Sequence, residues 1–174
     1  MQRHQTSLAR VTGAALISSS LFIAPALATP GSGFTPSGVV SGHFGTLHLD
    51  TSDLARDKDL KWSMMLKTTD ATDVGTDKLT VQPDGVSGWH AHPSAVFVTV
   101  TLGSIVWYNG SNPLCPSHTY NAGQSFIEEA YVIHNVKNAS SSNTAEFYAT
   151  HLNPTGTSGP AFRIDRAKPN NCNF

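Results

Sequence analysis

Short β-branched and aromatic runs, separated by Gly, Asn and Pro, leave this chain little choice but to build sheet. The runs are His43 to Leu49, Leu60 to Thr68, Asp77 to Gln82, Ala95 to Tyr108, Ser125 to Ile127, Val132 to Val136 and Glu146 to Leu152. Branched and ring side chains fit a pleated, half-buried surface better than a helix. Pro83-Asp84-Gly85, Asn109-Gly110 and Asn121-Ala122-Gly123 read as the turns between them. Asn109-Gly110 predicts a tight hairpin tip with positive φ at both residues. One short helix is predicted near Ser52 to Asp59. Many short strands with such turns point to an all-β sandwich or barrel.

The ends of the chain fix where that fold begins. Arg3 and Arg10 precede an apolar stretch from Val11 through Leu27, and Ala26-Leu27-Ala28 offers a small-x-small cut, so residues 1–28 read as a secretory signal peptide. The stretch is too serine-broken to span a hydrocarbon layer that needs about 20 apolar residues. Cleavage leaves 146 of the 174 residues, enough for one core. Residues 29–42, rich in Gly, Pro, Ser and Thr, read as a flexible arm, and 43–174 as a single domain with a C-terminal tail. Without Arg3 and Arg10 the chain carries nine basic against twelve acidic residues, a formal charge of −3. That balance, with no basic stripe, argues against a nucleic-acid partner, and no other segment suits a membrane. Export also turns Cys115 and Cys172, the only cysteines, into an expected disulfide.

Histidines carry the chemistry. On an extended strand residues i and i+2 face the same way, so His90 and His92 can close on one ion, and His134 on a neighbouring strand would complete a triad. Strand parity groups His90, His92, Ser94, Val96, Val98, Val100 and Leu102 on one face, which carries the histidines into an apolar core. Trp89, Phe97, Trp107, Phe126 and Phe147 are expected as core and pocket wall, and His43, His48 and His118 as surface or loop residues.

The segment Trp89-His90-Ala91-His92-Pro93 with Gly103 downstream, and the segment from Gly123 to His134 and Asn138, resemble the two motifs of the cupin superfamily. The likeness covers roughly Lys78 to Leu152. It implies a double-stranded β-helix, the cupin jelly-roll barrel, and a metal held by His90, His92 and His134. The glutamate of the first motif falls on Val96, or Phe97 at the longer spacing, and the Pro and Gly of the second fall on Glu129 and Tyr131. Glu128, Glu129, Tyr131 and His151 are the residues that could restore a fourth ligand.

Imidazole suits iron, manganese, nickel, copper and zinc alike, so the ion's identity stays open. Three neutral ligands would leave its full charge in place and favour an anionic ligand. The expected protein is an exported metal-binding cupin with a small-molecule ligand. It is either a metalloenzyme of dioxygenase, lyase or isomerase type, or a non-catalytic binding protein of the cell envelope. Oligomeric state stays open, with a homodimer as the option that the resemblance offers.

Overall fold

The computed structural model describes residues 28–51, 62–157 and 162–173. The signal-peptide segment up to residue 27 and the helix expected near Ser52 to Asp59 lie outside the described residues. Among those described there is no helix, and so none long and apolar enough to cross a membrane.

Among the described residues ten strands form a nearly closed jelly-roll barrel: β1 (Ser32–Asp50), β2 (Met65–Val86), β3 (His90–Ala91), β4 (Val96–Leu102), β5 (Ser104–Asn109), β6 (Ser117–Asn121), β7 (Ser125–Glu128), β8 (His134–Asn138), β9 (Ala145–Pro154) and β10 (Ile164–Asp165). The main path runs β10-β3-β8-β2-β9-β4-β7, all pairings being antiparallel. β1 adds to β2, and the β5–β6 hairpin adds to β8.

Alternation decides which side chains fill the barrel. Along β4, Val96, Val98 and Val100 are buried while Phe97 and Thr99 face solvent. Each buried branched side chain contributes about 1.5–3 kcal/mol. With Leu79, Val81, Ile105, Val136, Ala145 and Phe147 they make one core. Two expectations fail on this strand. Leu102 leaves the inward face because the register against β9 slips between Val100 and Leu102, and Phe97 is half exposed because its parity is odd.

Three other sequence readings differ from the structure. Residues 32–42, expected as part of a flexible arm, form the first half of β1. Their pairing with β2 uses backbone groups and tolerates exposed Gly and Ser. Pro83-Asp84-Gly85 is an irregularity inside β2 rather than its end, with Asp84 at φ 55° and its amide bonded to the Ser140 carbonyl. Asn109-Gly110 is no two-residue tip, and neither residue has positive φ. The Asn109 side chain instead accepts the amides of Ser111 and Asn112, opening a longer loop to Ser117. That loop carries Cys115, which is bonded to Cys172 across a Cα–Cα distance of 5.4 Å.

Candidate metal centre

β3 and β8 bring two imidazoles side by side, their planes tilted by 58°, since His90 and His134 are direct cross-strand partners and so point the same way. His92 follows two residues beyond His90, just past the end of β3, and its carbonyl accepts the amide of Tyr131 at 2.8 Å. Ring centroids lie 4.3 Å (His90 to His134), 4.9 Å (His90 to His92) and 5.1 Å (His92 to His134) apart. All three rings are buried, with one donor atom of each within 4.8 Å of the others. Nitrogens sharing one ion at about 2.1 Å lie about 3.0–3.4 Å apart, so the widest pair needs to close by little more than an ångström. His90, His92 and His134 thus lie together, close enough that they could hold one ion.

Their tautomers follow from their partners. The Nδ1 atoms of His90, His92 and His134 lie 2.9, 3.2 and 2.8 Å from the carbonyl oxygens of Gly88, Phe162 and Val132. A carbonyl only accepts, so each Nδ1 carries the hydrogen and each neutral ring turns its Nε2 lone pair inward. Backbone carbonyls in this role orient the rings of a metal-binding histidine.

The fourth side chain at the centre is Glu128. It ends β7 and is only 5% exposed, with Oε2 3.3 Å from His92 Nε2 and Oε1 3.3 Å from His134 Nε2. Its place follows from the ladder: Glu128 is the cross-strand partner of Val96, so the carboxylate enters one strand away from where the first cupin motif leads one to expect it. Glu129 and Tyr131 face solvent instead. His151 enters the same cavity but pairs with Asp77. Reading Phe126, Ile127 and Glu128 as in, out, in would have singled out Glu128 among the four candidates.

Lone pairs therefore meet lone pairs. His134 Nε2 is buried without a hydrogen-bond partner, against a carboxylate that can only accept while ionised. Burial pushes the Glu128 carboxyl up, but the neighbouring His134 and His92 imidazoles outweigh it and hold the group well below the usual carboxylate range. Burial depresses His134 too, yet the Glu128 charge raises it overall, whereas burial keeps His90 well below the ordinary imidazole value. The centre thus calls for positive charge among its four side chains, which a proton on His134 can supply and which a divalent cation, binding the Nε2 atoms in place of that proton, can supply instead. The residues fit a metal.

A cavity of about 1010 Å³ adjoins the centre. Val96, Val136, Phe147 and Ala149 give it an apolar wall, and Asp77, His151 and Arg163 add polar groups.

The fold and site together define a jelly-roll barrel with three buried imidazoles that could hold a metal and a carboxylate beside them, all at strand ends. Residues 78–151 match the family model Cupin_2, described as a cupin domain, and this stretch is a cupin of that type. No match was found among curated proteins. Similar solved structures include Peruvianin-I from Thevetia peruviana latex, described as a cysteine peptidase (22% identity, 47% of this chain and 50% of that one, TM-score 0.40). A cupin-like protein from Thermotoga maritima is another (16% identity, 55% and 65%, TM-score 0.44). Oxalate decarboxylase from Lactobacillus farciminis, in complex with formate, is a third (20% identity, 54% and 26%, TM-score 0.43). The chain spans about half of the first protein, under two thirds of the second and about a quarter of the third. Likeness at this level concerns the barrel alone.

Proposed function

We propose that the protein is an exported metalloenzyme in which His90, His92 and His134 hold a divalent transition ion, with Glu128 beside them, for work on a small anionic molecule in the adjoining cavity. One observation carries this reading: three buried imidazoles hold one donor atom each within 4.8 Å of one another, their Nδ1–H groups committed to backbone carbonyls, and the Glu128 carboxylate lies 3.3 Å from two of the Nε2 atoms. A bound ion would supply Lewis-acid polarisation of a ligand oxygen and, for the redox metals, access to dioxygen chemistry. The reaction classes that suit such a site are dioxygenation of an enol or diphenol, and a lyase or isomerase step.

The chain's own residues prepare that chemistry. The Gly88, Val132 and Phe162 carbonyls fix ring orientation, and Val96, Val136 and Phe147 exclude water from one side of the bound molecule. With Glu128 at the ion, its net charge falls from +2 to +1, which still favours an oxygen anion. Export is supported by the N-terminal sequence and by the Cys115–Cys172 bridge, a feature of oxidising compartments.

The test is elemental analysis of protein purified without a histidine tag, beside His92→Ala and His134→Ala. About one equivalent of metal is expected in the parent, with affinity falling at least about 100-fold in either variant. A parent protein that neither carries nor takes up iron, manganese, nickel, copper or zinc overturns the reading. Ligand binding by the loaded protein without turnover of any enol or diphenol would make it a binding protein of the envelope instead.

A further inference from the structure

Across the cavity from the imidazole centre stands a second polar station. His151 on β9 is the cross-strand partner of Val96 on β4, which in turn partners Glu128 on β7. The three form one row on the inward face of adjacent strands. Each rung separates Cβ atoms by about 4.5–5.5 Å, so the row sets Glu128 and His151 on the order of 10 Å apart with an apolar residue between them.

The His151 ring is held on every side. It lies over Gly75 of β2, where an added β-carbon would collide with Cε1. The Asn153 amide donates to its Nδ1 at 2.6 Å, and the Asn153 carbonyl oxygen is fixed by the Ser94 hydroxyl at 2.8 Å. Phe162 packs on the ring at 4.1 Å between centroids. With Nδ1 accepting, Nε2 carries the hydrogen and donates to Asp77 Oδ2 at 3.3 Å. All of these contacts serve to aim one N–H at one carboxylate.

The charges around that carboxylate matter most. Burial holds His151 below the ordinary imidazole range against the opposing pull of Asp77, so the ring is a neutral donor and leaves the negative charge in place. Lys78, next in sequence, pairs with Glu146, and the Arg163 guanidinium is tied to Asp165 and the Ser87 carbonyl. Asp77 nevertheless lines the cavity, its side chain one third exposed. An ion with Glu128 leaves +1 at one station, and Asp77 leaves −1 at the other.

We infer that the cavity selects a dipolar ligand, with an oxygen anion at the metal centre, a protonated amine at Asp77, and an apolar spacer along Val96. His151 acts as a positioning residue for Asp77. This inference rests on the metal reading of the preceding section, and its test separates the two.

The cobalt(II)-loaded protein is titrated with octanoate and with ω-aminooctanoate, whose extended chain matches the spacing, and binding is read from the cobalt visible bands. The amine is expected to tighten binding about tenfold. Asp77→Asn should abolish that advantage, bringing the affinities for the two acids within about twofold of each other. Gly75→Ala, which displaces the imidazole without altering any charge, should erode the advantage in the same direction. Cobalt bands that respond equally to both acids, or an advantage that survives Asp77→Asn, overturn this inference alone. Failure to load cobalt overturns the metal reading and this inference with it.

Discussion

Replacing Glu128 with glutamine preserves the size and shape of the side chain but removes its charge from a centre where both oxygens sit 3.3 Å from imidazole nitrogens. Neutralising one member of a buried ionic set costs about 3–5 kcal/mol, which at about 1.4 kcal/mol per decade is roughly two to three and a half decades of affinity. A carboxamide oxygen still coordinates weakly, which places Glu128→Gln near the lower end, a loss of about 100-fold. By mass action that removes about 2.7 kcal/mol of metal-dependent stabilisation at a fixed excess of ion, a metal-induced rise in Tm smaller by roughly 5–10 °C. Competition against a chromophoric chelator gives the affinity, and calorimetry with and without ion gives the Tm difference. The paired exchange Val96→Glu with Glu128→Val, which moves the carboxylate back across one rung of the β4–β7 ladder, should recover part of the loss. Affinity of Glu128→Gln within threefold of the parent would refute the placement of this carboxylate at the ion.

Tyr131 stands where the second cupin motif leads one to expect glycine, and it adopts φ 59° while 64% exposed. Relieving that left-handed strain, less the unfolded-state entropy that glycine adds, makes Tyr131→Gly more stable by about 0.5–1 kcal/mol in urea titration. A loss of stability would contradict the account of the turn. The Cys115→Ser, Cys172→Ser double variant should lose about 4 kcal/mol, visible as a lower urea midpoint, and an unchanged midpoint would show that the bridge constrains little.

The sheet and one side of the centre were legible from short-range periodicity, since two-residue alternation fixes which face of β4 is buried and the spacing of His90 and His92 sets them side by side, whereas the barrel and the place of His134 were read from the resemblance to the cupin motifs. Glu128 was harder to read. It lies one residue beyond the run Ser125 to Ile127, so that alternation extended by one residue turns it inward, but its place beside the imidazoles is set by pairing with Val96, a contact between strands. β1 was illegible for a related reason. An exposed edge strand held by main-chain bonds needs no apolar alternation, so Gly38, Ser41 and Gly42 look like linker. Asn109-Gly110 misled because the Asn109 side chain substitutes for a backbone turn, an option that the dipeptide shares with the tight hairpin.

Phe162 touches both stations of the cavity: its carbonyl receives the His92 N–H, and its ring lies 4.4 Å from His92 and 4.1 Å from His151. This residue comes after the ninth strand, so during synthesis the pincers emerge from the ribosome some seventy residues before the clasp that steadies one of them. On the metal reading proposed above, a nascent chain would grip an ion only loosely, firm capture would fall to the finished polypeptide, and the compartment in which folding ends would decide which metal is on offer.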